Sequence, residues 1–199
     1  MKNLFLLIAL LMAYGLIIAQ SSNTELHSLI SKLLYDSTGY SNVGDWAVGT
    51  PSKFPVKWKE DRIIMSDDTS INFYRVGSAN IKVNGKSIAQ NGQPVKWNVM
   101  LKGPRMGYTS FSIISSPSSQ IKPKWNIDSL LGQQKATYKL LKKCDDKDLT
   151  GFYYYEVKFP RKDIAYLKLS WLSVNGNTAL RIDGYDSYSN YAAKLDCPK

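Results

Sequence analysis

The sequence contains one histidine and two cysteines among 199 residues, and this scarcity excludes several kinds of site. One histidine excludes a metal centre built from several histidines. Two cysteines are too few for an all-cysteine zinc site or for a fold held together mainly by disulfides. The motifs G-x-S-x-G, H-E-x-x-H, G-x-x-x-x-G-K-[ST] and G-x-G-x-x-G are all missing. We therefore assign no catalytic residue, no metal and no cofactor from the sequence.

Long apolar runs are also scarce, and the one that is present lies at the N-terminus. Lys2 precedes an apolar segment from Leu4 to Ala19, and polar residues follow from Gln20 onward. A short positive region, an apolar region and a small residue at the junction are typical of a cleaved secretory signal. An uncleaved membrane anchor is the alternative, but the run is shorter than the ~20 residues that span a bilayer. We predict a signal peptide at residues 1–19 and a single secreted or periplasmic domain at residues 20–199.

Acidic residues are outnumbered by basic ones. The chain has 16 Asp and Glu against 26 Lys and Arg, so its formal net charge is +10 at pH 7. A hydrophobic content of 44% is too high for a disordered chain. A basic exported domain suits an anionic polysaccharide, an anionic envelope component or an acidic protein as its partner. We expect a partner from these classes rather than nucleic acid.

The two cysteines, Cys144 and Cys197, fit an oxidising compartment. Thiols in such a compartment usually pair, and this pair would anchor the C-terminal end of the chain. A catalytic cysteine is the rival interpretation, but it would need a base near it, and the sequence supplies no sign of one. We predict a structural disulfide between Cys144 and Cys197.

Apolar residues at helical spacing occur in one segment of the mature chain. Leu26, Leu29, Ile30, Leu33 and Leu34 form a single apolar stripe. The spacing of Ser22 and Glu25 matches a capping box, so we predict an amphipathic helix over 22–35. A shorter helix is expected around 126–134.

The remainder of the chain alternates with a period of two, which is typical of β-strands, in two blocks at about 56–115 and 136–183. In the first block, Asn84-Gly85 and Asn91-Gly92 are typical of two-residue hairpin turns. These turns would pair Ile81 with Ile88 and Ile88 with Val95. Because three apolar residues then share one row, we predict a β-meander.

In the second block, Asn175-Gly176 sets the pairing of the last two strands in the same way. The predicted pairs are Trp171–Leu180, Leu169–Ile182, Lys168–Asp183 and Ser170–Arg181. A turn at 160–163 would further place Glu156 opposite Lys168 and Lys158 opposite Tyr166. The result would be a row of alternating charge, Glu156–Lys168–Asp183, across three strands.

These patterns predict an α+β domain made mostly of antiparallel β-meanders, with one N-terminal amphipathic helix. An all-β sandwich or a partly open barrel is the alternative. The candidate binding residues lie on one predicted face of the second block and are exposed there: Tyr154, Lys158, Tyr166, Lys168 and Arg181. Aromatic rings next to cations suit the binding of sugars and anionic groups. A solvated face, or a face covered by the helix, is the structural alternative.

We therefore predict a non-enzymatic binding protein for an anionic polymer or a cell-envelope component. Two other functions stay open at this point. One is an inhibitor or accessory factor of an exported enzyme. The other is a hydrolase that uses carboxylates alone, since such pairs are recognised by their separation in space.

Overall fold

The computed structural model describes residues 24–35, 54–66, 71–104, 108–121, 136–145, 151–160, 164–185 and 197. The predicted signal peptide at 1–19 and the predicted helix around 126–134 lie outside the described residues. No helix within the described ranges is long and apolar enough to cross a membrane.

The one helix of the described chain, α1, spans Leu26–Tyr35 and directly follows a short strand, β1, at Thr24–Glu25. The helix was predicted to begin earlier, with Glu25 as part of a capping box, and that start is wrong. The amide of Thr24 donates to the carbonyl of Asn80, and Glu25 Oε1 accepts a bond of 3.1 Å from the Gly85 amide. Because Thr24 is engaged in strand pairing and the Glu25 carboxylate accepts from Gly85, neither residue caps the helix, and the helix begins only at Leu26.

Eight strands form the main sheet, and every neighbouring pair in it is antiparallel. The first four are β2 (Lys57–Ser66), β3 (Ile71–Ala79), β8 (Trp97–Gly103) and β9 (Ser110–Ser115). The last four are β10 (Thr137–Asp145), β11 (Gly151–Lys158), β12 (Ile164–Val174) and β13 (Asn177–Tyr185). The spatial order is β10-β11-β12-β13-β9-β8-β3-β2. Two four-stranded meanders are thus joined into one sheet by the pairing of β13 with β9.

Four short strands lie between β3 and β8: β4 (Ile81–Val83), β5 (Lys86–Ser87), β6 (Ala89–Gln90) and β7 (Gln93–Pro94). The order β1-β4-β5 makes a small sheet in which β1 runs parallel to β4, and β6 pairs with β7 alone. The described chain is therefore rich in mostly antiparallel sheet and has a single short helix. Both the α+β prediction and its open all-β alternative agree with this architecture.

The three Asn-Gly turns are confirmed. Both residues of each turn have positive φ, from 50° to 52° for Asn and from 75° to 76° for Gly, which is the geometry of a type I′ turn. The predicted registers follow from them. Trp171 lies opposite Leu180, and Lys168 lies opposite Asp183. In the first block, the two turns join β4 to β5 and β6 to β7, but these hairpins belong to separate small sheets and not to one continuous meander. Ile81, Ile88 and Val95 are nevertheless buried in one core.

The predicted register between β11 and β12 is wrong by two residues. Lys168 lies opposite Tyr154, and Glu156 lies opposite Tyr166, so the predicted Glu156–Lys168–Asp183 row does not form. The connection between these strands has no Asn-Gly turn, and the pair nearest to it is Lys158 with Ile164. A shift of two residues keeps each side chain on its face of the sheet but changes its partner.

One face of the main sheet, which we call the inner face, is buried against α1. The five apolar residues of the helix stripe are almost completely buried in one cluster with inner-face residues such as Trp97, Ile113 and Trp171. Each fully buried Leu or Ile contributes about 1.5–3 kcal/mol to stability. The hydroxyl of Tyr108 also donates to the Leu33 carbonyl at 2.8 Å, which holds the end of the helix on the sheet.

The predicted disulfide between Cys144 and Cys197 is present. Cys144 lies in β10, an edge strand of the main sheet, and it is buried with Phe152 and Tyr154. β13 is separated from β10 by two strands, so the disulfide links Cys197 to the strand at the far side of the second meander. A disulfide is compatible with a secreted or periplasmic protein.

Candidate functional site

The face opposite α1, which we call the outer face, carries all five predicted binding residues. Directly opposed residues of antiparallel strands share a face, and alternate residues along a strand share it too. Tyr154 lies opposite Lys168, and Tyr166 lies two residues before Lys168 on the same strand. Arg181 lies two residues before Asp183, which is the partner of Lys168 on β13. Lys158 occupies the same face at the end of β11.

Exposure differs among these five residues. Lys158 and Arg181 are exposed, whereas Tyr166 and Lys168 are half-buried. Tyr154 is only 2% exposed, so the prediction that its ring faces solvent is wrong. Its ring stacks on that of Tyr166 at 6.1 Å between centroids, and it belongs to the small core around Cys144. Tyr154 is therefore covered, although it lies on the outer face, and it does not form part of the accessible surface.

Asp183 is the central polar group of the outer face and is 3% exposed. The hydroxyl of Ser112, on the neighbouring strand β9, donates to its Oδ1. Arg181 Nε lies 2.9 Å from both carboxylate oxygens. A buried carboxylate needs such partners because its desolvation would otherwise cost several kcal/mol. The buried carboxylate thereby fixes the position of the Arg181 guanidinium on the sheet.

Lys168 lies beside this ion pair. Burial lowers the pKa of its ammonium group below the usual lysine value; Asp183 opposes that shift by attraction, and Arg181 adds to it by repulsion. The Nζ atom of Lys168 lies 4.8 Å from the ring centroid of Phe152. The aromatic ring and the carboxylate together keep a cation in a partly desolvated position.

Residues of the first meander complete the surface, and sequence reasoning had not assigned them to it. Lys102 of β8 lies opposite Ser110, and its Nζ atom lies 5.5 Å from the ring centroid of Tyr74. A cavity of about 200 Å³ lies between β8, β9 and β13. Its lining includes Lys102, Ser110, Ser112, Arg181, Asp183 and Tyr185. The sequence indicated only which side chains of each strand share a face. It did not indicate that β9 pairs with β13, because these strands are far apart in the chain.

The outer face is strongly cationic. By strand register, its described side chains include seven lysine or arginine residues: Lys57, Lys102, Lys139, Lys142, Lys158, Lys168 and Arg181. They include two carboxylates, Glu156 and Asp183. This imbalance creates a positive potential that attracts anions and is weakened by salt.

The two outer-face carboxylates are not placed as a facing pair. Asp183 lies on β13 and Glu156 on β11, with β12 between them and an offset of two residues along the strands. Strand geometry puts their Cα atoms about 12 Å apart. Within the described ranges, no group of three or more His, Cys, Asp or Glu residues is arranged to hold a metal ion.

No protein-family model matches the chain, and neither the curated proteins nor the solved structures contain a significant match to it.

Proposed function

We propose that this protein is an exported, non-catalytic binding protein that holds an anionic polysaccharide of the cell envelope or its surroundings on its outer face. The observation that carries the proposal is that seven basic side chains but only two carboxylates lie on the outer face among the residues that the structure describes. The disulfide and the apolar N-terminal segment support export.

An array of cations on a sheet suits a polymer because six of the eight strands carry at least one basic outer-face side chain. Strands lie about 4.8 Å apart, and outer-face side chains recur about every 7 Å along each strand. Lys102, Arg181 and Lys168 belong to three strands within a four-strand width of the sheet. A polyanion that crosses the strands can therefore meet several cations at once and gain affinity from each of them.

Aromatic rings give the same face a means of contacting sugar rings. Tyr74, Tyr166 and Tyr185 lie on this face and are half-buried. Such rings offer flat apolar area at a low cost in conformational entropy. The mixture of cations and rings favours an anionic polysaccharide over a small inorganic ion as the whole ligand.

The test is retention of the mature protein on an immobilised sulfated polysaccharide as salt is raised. We expect the double variant Lys158→Glu/Arg181→Glu to elute at lower salt than the wild type, because it reverses two charges of the outer face. The matched control is Lys32→Glu/Lys86→Glu. It changes net charge by the same amount at exposed positions on α1 and β5.

The control should elute close to the wild type. If the two double variants lose retention equally, the binding depends on net charge alone and the outer face is not the site. If the wild type is not retained at low salt, the proposed function is wrong.

A further inference from the structure

We propose that the cavity between Lys102 and Arg181 is a seat for one tetrahedral oxyanion group, a sulfate or phosphate ester carried by the anionic polysaccharide. This inference rests on the proposed function and adds to it the chemical class of the ligand. It predicts that sulfated or phosphorylated polysaccharides bind more tightly than polysaccharides whose only charges are carboxylates.

The first support is the way in which Arg181 is held. Its Nε atom engages both oxygens of Asp183 at 2.9 Å, while its terminal amino groups make no hydrogen bond within the described part of the chain. The side chain is 47% exposed, whereas that of Asp183 is 5% exposed. Asp183 is therefore a positioning residue that aims a preorganised guanidinium fork at the cavity. Such a fork matches two oxygens of a sulfate or phosphate group.

The second support is the set of donors around the same space. Lys102 lines the cavity from β8, Ser110 from β9 and Arg181 from β13. Ser110 lies opposite Lys102 on one side and opposite Tyr185 on the other, so its hydroxyl lies between those side chains. The donors thus come from three strands. A tetrahedral group accepts hydrogen bonds in several directions, whereas a planar carboxylate presents only two oxygens in one plane.

The third support is the size and charge of the seat. A volume of about 200 Å³ is large enough for one sulfate or phosphate ester group. Arg181 and Lys102 contribute two positive charges and Asp183 one negative charge. Because both carboxylate oxygens are engaged by Arg181, the negative charge is compensated locally and the seat keeps a net positive charge.

The experiment compares dextran sulfate with polygalacturonate, matched in charge density and ionic strength, on the mature protein and three variants. We expect the wild type to bind dextran sulfate about tenfold more tightly, the equivalent of one charge-assisted hydrogen bond of about 1.4 kcal/mol. Arg181→Lys keeps the charge but removes the fork, so the preference should fall to about twofold. Lys102→Met should reduce it similarly.

Lys158→Met is the control, since Lys158 lies on the same face but outside the cavity. This variant should lower the affinity for both polymers by the same factor, so that the ratio of the two affinities stays unchanged. Thermal unfolding of each variant verifies that it is folded. Competition by inorganic sulfate, against chloride at equal ionic strength, identifies the occupant: stronger competition by sulfate means that the seat takes the free ion, and equal competition means that it needs the polymer-bound ester.

The outcomes separate the two proposals. Equal affinity of the wild type for the two polymers would overturn the oxyanion seat and leave the proposed function standing. The same holds if Arg181→Lys keeps the full preference for dextran sulfate. Absence of binding to either polymer at low salt would overturn the proposed function itself.

Discussion

The ring of Phe111 in β9 lies directly on the backbone of Gly184 in β13, its paired residue across the junction of the two meanders. A Cβ atom at position 184 would overlap the Phe111 ring. The pair Trp171 and Gly151 repeats the arrangement between β12 and β11. In both pairs a large inner-face ring occupies the space that a side chain on the neighbouring strand would take. These glycines therefore allow aromatic residues to be buried close to the sheet.

Replacing Gly184 by alanine should destabilise the protein by about 1–3 kcal/mol, the usual cost of overfilling a packed core. Without the ring, the same change in a strand would stabilise slightly, because glycine loses more conformational freedom on folding. Urea unfolding at equilibrium measures the effect. The double variant Gly184→Ala/Phe111→Leu should show a favourable coupling with respect to the sum of the single changes. Simple additivity would contradict the contact.

Removing the disulfide with Cys144→Ala/Cys197→Ala should lower stability by about 4 kcal/mol on the chain-entropy model, given a separation of 53 residues. The physical reason is that the unfolded chain gains freedom when the loop is opened. Unfolding of the wild type with and without reductant should reproduce this difference. The double variant itself should not respond to reductant, and a loss below about 1 kcal/mol would show that the bond contributes little.

Lys168 should make stability depend on pH in the alkaline range. Burial lowers the pKa of its ammonium group in the folded protein. Between that folded-state pKa and the ordinary lysine value of about 10.4, the unfolded chain binds a proton that the folded protein has released. Stability therefore rises with pH across this window, and the full burial cost is present below it. The unfolding free energy of the wild type minus that of Lys168→Met should become more positive as pH rises to about 10.4.

The matched control variant is Lys158→Met, which removes an exposed lysine from the same face of the sheet. Subtracting each variant from the wild type cancels the titration of all other groups. A Lys168→Met difference that stays constant from pH 7 to the alkaline range would contradict the lowered pKa.

The strand registers show which pairings can be predicted from the residues of a single turn and its flanking strands. The Asn-Gly turns predicted the pairing of β12 with β13 correctly, because a two-residue turn leaves one register possible. The β11–β12 connection contains no such turn, and its prediction was wrong by two residues. Several loop lengths around Pro160 satisfy the same alternation of apolar residues, so the local pattern could not choose among them.

The candidate site was predictable only in part for a related reason. Alternation placed Tyr154, Lys158, Tyr166, Lys168 and Arg181 on one face, and the structure shows them there. Burial was not predictable in the same way: Tyr154 is covered although its face is the outer one. Lys102 and Ser110 were not predicted as site residues because they belong to the first block of strands, whereas the predicted face belonged to the second.

The amino-acid sequence was enough to predict the strands, the three tight turns, the apolar helix stripe and the disulfide. These features depend on residue type and on spacing within a few residues, or, for the disulfide, on there being only two thiols. The tertiary structure alone decided that β9 pairs with β13, which brings Ser112 to Asp183 and Lys102 to the cavity beside Arg181. That pairing joins segments about 70 residues apart, and its free energy comes from the packing of the whole inner face, which no local pattern records.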